Sequence, residues 1–346
     1  MDCFYAAVHM RDDPSLAGLP VVIGGRPEGR GVIAAASYEA RVFGVRSAMP
    51  SARAVRLCPQ LVFIRPDFAR YRSESHEVFE IFRRFTPRVQ AVSIDEAFLD
   101  VSEHLEPHGS ATAVAEAVRA AVRSERGLTV SVGVGPNRLV AKIASDFRKP
   151  DGLTVVPPRK VAGFLAPLSV RSLPGVGPAT EKRLEALGLR TVADVRRLTA
   201  EELESKLGKY GRTLANYCRG VDERPVRTHR VRKSLSSERT YAEDLADLDD
   251  ILAELDKQAA GVAGGLAKRN LSACTVTIKV RYPDFTTVTR SQTLPAPTRD
   301  KTVITGCARE LLGRTQAGSR PVRLLGVGAS NLLAGRVEQL SLFGRR

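Results

Sequence analysis

Apolar residues recur at two periods along this chain, and the switches between them outline its elements. Pro20-Val21-Val22-Ile23 and Val32-Ile33-Ala34-Ala35 read as two short strands joined by a Gly/Arg-rich turn, with a short helix over 38–43. Over 67–86, Val78, Phe79, Ile81, Phe82 and Phe85 recur at helical spacing. Val92 and Ile94 alternate before Asp95-Glu96, and Phe98 and Leu99 begin a second apolar run after it. Residues 111–125 predict a helix with Val114, Val118 and Val122 on one stripe. Leu128, Val130, Val132 and Val134 then alternate as a strand, which Gly135-Pro136-Asn137 breaks. Asn137 is placed to cap a helix carrying Leu139, Val140, Ile143 and Ala144. To about 156 the pattern predicts one α/β unit with an inserted small lobe.

Residues 157–225 change character and read as all-helical. The stretch 226–239 is a short basic connector, with Arg227, Arg230, Arg232, Lys233 and Arg239 against one acid, Glu238. It reads either as a solvated linker or as a contact to backbone phosphate. Residues 240–330 return to α/β: a helix at 245–268, strands near 271–281 and 285–293, a helix near 299–313 and a last strand at 321–328. With the end of the connector as first strand, the layout is β-α-β-β-α-β. There is no internal repeat and no low-complexity tract.

The 346 residues, 43% hydrophobic, suffice for two or three domains of a globular protein. No apolar run approaches the eighteen or so residues that span a bilayer, and no export signal opens the chain, so a cytosolic location without membrane attachment is expected. Cys3, Cys58, Cys218, Cys274 and Cys307 are scattered, without a CxxC pair, which argues against a disulfide framework and a structural zinc. A metal here would be an oxygen-ligand ion such as Mg²⁺. Lys and Arg number 53 against 38 Asp and Glu, a net charge of +15 that is the footprint of a polyanion partner.

Against that background the Asp95-Glu96 pair stands out. In an unbroken strand the two side chains would point to opposite faces and could not share an ion. Both reach one metal site only if the chain turns, so a hairpin turn is predicted at 94–97, with a third carboxylate supplied from elsewhere. Alone, an Asp-Glu dipeptide is more often an exposed turn. Tyr38 and Arg41 sit three apart on the short helix, where a phenol and a forked guanidinium could hold triphosphate oxygens. Lys149, at a turn after a helix, and Lys142 are candidate point charges, though lysines at helix ends are commonly just solvated.

Leu173-Pro174-Gly175-Val176-Gly177-Pro178, then a helix over Thr180–Leu187, Gly188 and another helix from Thr191, follow the helix-hairpin-helix pattern. Gly175 and Gly177 would let bare N–H groups approach a DNA phosphate without reading sequence. Gln339-Leu340-Ser341-Leu342-Phe343 lies near the chain end, where exposed Leu340, Leu342 and Phe343 call for a partner groove.

Taken together, Met1-Asp2-Cys3-Phe4-Tyr5-Ala6, Ser37 to Val45, Ser93-Ile94-Asp95-Glu96-Ala97, Ser131 to Asn137, Lys142 to Asp146, Lys149-Pro150-Asp151-Gly152 and Leu173 to Gly177 make the chain resemble the Y-family translesion DNA polymerases, in the bacterial polymerase IV branch, along essentially its whole length. The resemblance implies a right-hand α/β polymerase. Its palm would cover 1–3 and 67–156, the fingers 4–66, a helix-hairpin-helix thumb 157–225, a linker 226–239, a little finger 240–333 and a tail 334–346. It implies Asp95 as a Mg²⁺ ligand, Glu96 as the acid nearest the primer 3′-hydroxyl, and Tyr38, Arg41 and Lys149 at the incoming dNTP. Tyr5 falls at the steric gate that rejects a 2′-hydroxyl. Gln339, Leu340, Leu342 and Phe343 look like a sliding-clamp peptide. Error-prone synthesis without proofreading, with two Mg²⁺ ions, on primer-template DNA, by a monomer, is implied.

One departure stands. In the family the run matching Met1-Asp2 follows a strand ending in an aspartate, the third metal ligand, and Asp2 is not its equivalent. A start placed too late in the reading frame is expected, because the other motifs are intact. The alternative is a catalytically impaired form that binds DNA and the clamp. A third reading, a helix-hairpin-helix glycosylase or nuclease, accounts for 173–188 and the charge but not for Tyr38, Arg41, the acidic pair or the tail.

Overall fold

In the computed structural model, which describes residues 1–106 and 108–335, the chain divides into two units: Met1–Pro27 with Gly31–His229, and Glu28–Arg30 with the residues from Arg230 onward. The first unit opens on α1 (Phe4–Asp12). Strands β1 (Val21–Gly24) and β2 (Ile33–Ala36) pair antiparallel, α2 (Tyr38–Val42) and α3 (Ser51–Leu57) follow, and β3 (Val62–Ile64) joins β1 in parallel. Val22, Ile33, Ala40, Val45, Ala54 and Cys58 give this inserted lobe a small core of its own.

Helix α4 (Phe68–Phe85) starts where Asp67 accepts from the Arg70 N–H, and buries Tyr71, Val78, Phe79, Ile81 and Phe82. The hairpin β4 (Val89–Ala91) and β5 (Ala97–Leu99) leads to α5 (Ala111–Arg126), whose Val114, Val118 and Val122 meet the α4 stripe in one core. Strand β6 (Val132–Val134), α6 (Arg138–Phe147) and the parallel strand β7 (Leu153–Val155) form a right-sized crossover unit, with Asn137 capping α6 as expected. Strand β6 is shorter than the alternation predicts. Its partner offers three residues, and just upstream the Ser131 hydroxyl is committed to Asp2. At Gly133 a Cβ would overlap the Ala141 carbonyl and the Ser145 nitrogen, so α6 lies directly on its strand. A cleft of about 760 Å³ is lined by both β5 and β6, over an apolar floor that includes Val114, Val118 and Val130.

The all-helical stretch is confirmed as α7 (Val161–Leu165), α8 (Pro178–Ala186), α9 (Val192–Arg196), α10 (Ala200–Leu207) and α11 (Tyr210–Cys218), with short 3₁₀ turns. Thr191 with Asp194 and Thr199 with Glu202 form capping boxes on α9 and α10. Leu165, Leu173, Leu184, Val192, Leu203 and Leu214 pack with Leu139, Val140 and Ile143 of α6, so α6 is gripped from this side as well.

The second unit has the expected layout: β8 (Ser234–Leu245), α12 (Leu248–Ala267), β9 (Leu271–Arg281), β10 (Thr287–Thr298), α13 (Lys301–Leu312) and β11 (Val322–Ala334). The sheet is antiparallel in order β10-β9-β11-β8, and both helices pack on one face, over Ile251, Leu255, Val262, Val276, Ile278, Leu311 and Val327. Two boundaries differ from the sequence pattern. Strand β8 begins at Ser234, inside the predicted connector, and runs to Leu245, because Leu235 and Tyr241 reach the core while Glu238 and Arg239 between them face water; the helix therefore starts at Leu248. Strand β10 continues past Pro295 and Pro297 to Thr298, which an edge strand tolerates because its missing N–H groups have no ladder to serve.

A partly buried ion cluster ties three helices of the first unit. Glu74 of α4 accepts from Arg11 Nη1 and Nη2 at 2.9 and 3.0 Å, and from Arg126 Nη2 at 3.0 Å. The Arg11 hydrogen bonds, working against burial and helped by Arg126, hold the Glu74 carboxyl below its ordinary value. Such a group contributes stability above its unfolded value near 4.5 and loses it as pH falls through the lower folded value. Glu74→Ala should lower unfolding free energy by about 3 kcal/mol at pH 7, leaving Arg126 without its carboxylate and Arg11 with Asp12 alone, and should flatten the parent's acid limb in pH-dependent denaturant unfolding. A variant as stable as the parent at pH 7 would contradict this role.

Candidate functional site

The acidic pair lies on a reversal, but the reversal spans Val92–Glu96 rather than 94–97. Ladder pairing stops at Ala91 opposite Ala97, and the Val92 and Ser93 N–H groups both donate to the Glu96 carbonyl, at 2.9 and 3.3 Å. Ser93 Oγ donates to Asp95 Oδ1 at 2.7 Å, and Ser75 of α4 donates to the Ile94 carbonyl at 2.5 Å. The Met1 amine donates to the Asp95 carbonyl at 2.8 Å. The turn is thus pinned from α4, from its own serine and from the N-terminal residue, and both carboxylates line the cleft.

Helix α6 supplies the opposing charge. Lys142 Nζ reaches Glu96 Oε1 at 2.6 Å and Asp146 Oδ2 at 3.5 Å, and Lys149 Nζ meets Asp146 Oδ1 at 2.7 Å. The result is a chain of alternating sign: Glu96, Lys142, Asp146, Lys149. Burial works against the Lys142 ammonium, but the Glu96 hydrogen bond and the Asp146 charge outweigh it and raise its pKa. Burial also works against Asp146, whose carboxyl Lys149 and Lys142 nonetheless hold low. Lys142, a candidate phosphate contact from sequence, is therefore engaged by the acidic turn.

Ser37 caps α2 by accepting from the Ala40 N–H at 3.3 Å, which sets Tyr38 and Arg41 on one side of the helix. The Arg41 guanidinium carbon lies 4.5 Å from the Tyr38 ring centroid, a cation–π contact, and its Nε donates to the Ala36 carbonyl at 3.0 Å. Burial and the nearby Asp2 charge raise the Tyr38 phenol pKa.

Asp2, ruled out from the sequence as the third metal ligand, makes contacts that the sequence did not signal. Only 2% exposed, it accepts from Ser131 Oγ at 2.7 Å, from the Asp151 N–H at 2.8 Å and from Tyr38 Oη at 3.4 Å. Partners so distant in sequence leave no local signal.

Tyr5 stacks on Tyr71 of α4, with centroids 4.1 Å apart and planes 14° from parallel, and meets the Phe68 ring edge-on at 6.1 Å. Tyr71 is fixed in turn by a 2.8 Å hydrogen bond between its hydroxyl and His9 Nε2. Burial, then the Asp95 charge, raise the Tyr5 pKa. The backing pair Phe68 and Tyr71, three apart on α4, precedes the stripe read from the sequence, which begins at Val78.

As a donor set, Asp95 and Glu96 fit a hard cation: both are carboxylates, on one turn, open to the cleft, with no histidine beside them. Among the described residues no group of three or more His, Cys, Asp or Glu stands close enough to hold a metal ion. Asp95, Glu96, Lys142 and Lys149 line one cleft, and Asp2 ties Tyr38 to the loop that follows Lys149 through the Asp151 N–H.

Gly175 and Gly177 lie elsewhere, in the helical region. Gly175 has φ +93°, and a Cβ there would collide with the Tyr210 ring, whose hydroxyl donates to the Pro174 carbonyl at 2.8 Å. Gly177 caps α8, with Pro178 at its first position. Arg171 Nη1 donates to the Val176 carbonyl at 2.9 Å and closes the hairpin. Gln339, Leu340, Leu342 and Phe343 lie outside the described residues. No helix among the described residues is long and apolar enough to cross a membrane.

Three family models match the chain: the impB/mucB/samB family over residues 1–146, its C-terminal domain over 232–342, and the DNA polymerase-iota thumb domain over 171–222. The chain is 50% identical to DNA polymerase IV of Halorhodospira halophila over 339 residues, covering 98% of this chain and 95% of that one. It is 49% identical to DNA polymerase IV of Alkalilimnicola ehrlichii, covering 99% and 97%. Among solved structures, a Y-family DNA polymerase chimera of Dbh and Dpo4 superposes with a TM-score of 0.86 at 28% identity, covering 96% of this chain and 98% of that one. An insertion ternary complex of Dbh DNA polymerase superposes with a TM-score of 0.68 at 28% identity, with the same coverage.

Proposed function

This chain belongs to the Y family of DNA polymerases, in the bacterial polymerase IV branch, and we propose that it adds deoxynucleotides to a primer 3′-hydroxyl opposite damaged template bases, error-prone and without proofreading, using two Mg²⁺ ions. It is a DNA-directed DNA polymerase with the family's right-hand α/β fold. The observation that carries the finer reading is the acidic turn facing a lysine-bearing helix across one cleft. In this reading residues 1–3 and 67–156 serve as palm, 4–66 as fingers and 157–225 as thumb, the little finger takes β8 from Ser234 out of the expected linker, and the cytoplasm is the site of action.

Asp95 and Glu96 would hold the metal. Bound there, Mg²⁺ neutralises triphosphate charge and makes the primer hydroxyl easier to ionise. The chain's own residues do the rest. Lys149 presents a point charge to the triphosphate, and its Asp146 partner keeps the ammonium aimed. Arg41, stacked on Tyr38, offers its guanidinium edge to phosphate oxygens, because the ring occupies its face. Lys142 keeps Glu96 from swinging into solvent. Tyr5, backed by Tyr71, would stand under the sugar and exclude a 2′-hydroxyl. Amides at Gly175 and Gly177 would take backbone phosphates, and residues 339–343 would dock on the sliding clamp.

Primer extension tests the core of this. It should require Mg²⁺ and fall by about 10²–10⁴ in kcat in Asp95→Asn, with primer-template affinity dropping steeply as salt rises. Extension that survives Asp95→Asn would remove the metal role, and DNA binding without extension by the parent would leave only a DNA- and clamp-binding protein. Tyr5→Ala should admit ribonucleotides, by about tenfold or more in relative kcat/KM; unchanged sugar discrimination would remove the gate role. Deleting 339–346 should spare distributive synthesis and abolish stimulation by the clamp, whereas equal loss of both would sink the tail assignment.

A further inference from the structure

We propose that Asp2 is a positioning residue for the incoming nucleotide: its buried carboxylate ties the Tyr38 helix and the Lys149–Gly152 loop to one point, and so fixes the spacing of the two elements that grip the triphosphate. The inference rests on the nucleotide-binding roles given above to Tyr38, Arg41 and Lys149.

Three donors from three elements converge on Asp2. The Ser131 hydroxyl, just before β6, and the Tyr38 hydroxyl, on α2, share Oδ1, and the Asp151 amide takes Oδ2. Ser131 Oγ in turn accepts from the Gly152 N–H at 3.2 Å, so the loop is held twice. A carboxylate is the one small side chain with acceptors on both oxygens and no N–H to oppose a donor. The loop needs holding. Asp151 sits at φ +51°, a backbone conformation that residues with side chains rarely adopt, and at Gly152 a Cβ would overlap the Arg148 carbonyl. From the outer side Arg119 and Arg123 of α5 engage the Asp151 carboxylate. Asp2 holds the same residue by its amide from the inner side, two positions beyond Lys149. Asp2 is itself fixed by its N–H to the Thr129 carbonyl at 3.2 Å. It is nearly inaccessible, so its effect on substrate is exerted through Tyr38 and Lys149.

Asp2→Asn keeps the volume but turns an amide N–H₂ toward a donor. In primer extension the KM for dNTP should rise about tenfold, with kcat at saturating dNTP within about threefold of the parent and the melting temperature little changed. Ser131→Ala, which removes one link without adding a donor, should raise KM less, by about two- to threefold. A folded Asp2→Asn with unchanged KM would overturn the proposal, as would a drop in kcat with KM constant, the mark of a smaller active fraction. If Asp2→Asn does not fold, an unchanged KM in Ser131→Ala overturns it alone. Equilibrium binding of dATP to protein with a dideoxy-terminated primer-template separates this from the functional reading. Weaker dATP binding in the variants of a chain that never extends a primer would sink the polymerase mechanism and leave the positioning role standing.

Discussion

Two carboxylates placed side by side on one tight turn repel each other, and the packing around Asp95 and Glu96 offsets that repulsion with charge brought from another element. The offset depends on where α6 lies. Gly133 lets the helix rest on β6, and Leu139, Val140 and Ile143 lock it against the helical region on its far side. With α6 so fixed, Lys142 lands on Glu96 and Asp146 lands between the two lysines. A helical rotation of one residue, about 100°, would carry Lys142 off the turn. Apolar packing remote from the site thereby sets an electrostatic distance within it.

Much of the scaffold was readable from periodicity. The stripes of Val78 to Phe82 and Val114 to Val122, the cap at Asn137 and the β-α-β-β-α-β layout all form as the pattern says, because each is written within a few residues. Boundaries governed by a distant partner were less readable. Strand β8 starts early because β11 is long enough to pair with it, and the acidic turn opens one residue beyond Ala91 because the Glu96 carbonyl accepts two N–H groups. Least readable were residues acting through long-range hydrogen bonds. Nothing near Asp2 in sequence announces Ser131 or Asp151, and the same holds for Tyr71 behind Tyr5. Lys142 was visible as a cation near the site, but its partner was not.

The net charge of +15 also has an internal order. Between 240 and 258 the chain carries Glu243, Asp244, Asp247, Asp249, Asp250, Glu254 and Asp256 against Lys257 alone. Several of these serve the helix itself: Asp247 accepts from the Asp249 and Asp250 N–H groups, and acids in the first turn of α12 suit its dipole. On the sheet of that unit, Thr275, Thr277, Lys279 and Arg281 alternate with the buried Val276, Ile278 and Val280, so hydroxyls and cations face outward. Acids gather at the start of α12, while cations and hydroxyls share the open face of the sheet, where Lys279 pairs with Glu238.

Tyr5 carries a thermodynamic consequence. Its ring is clamped between Tyr71 and Phe68, and Tyr71 is hydrogen-bonded to His9. A side chain held in this way has already given up its rotamer freedom in the free protein. In the gate role proposed for Tyr5, an arriving sugar would meet a surface that needs no ordering, so discrimination would draw on steric fit and sacrifice no conformational entropy at the moment of binding.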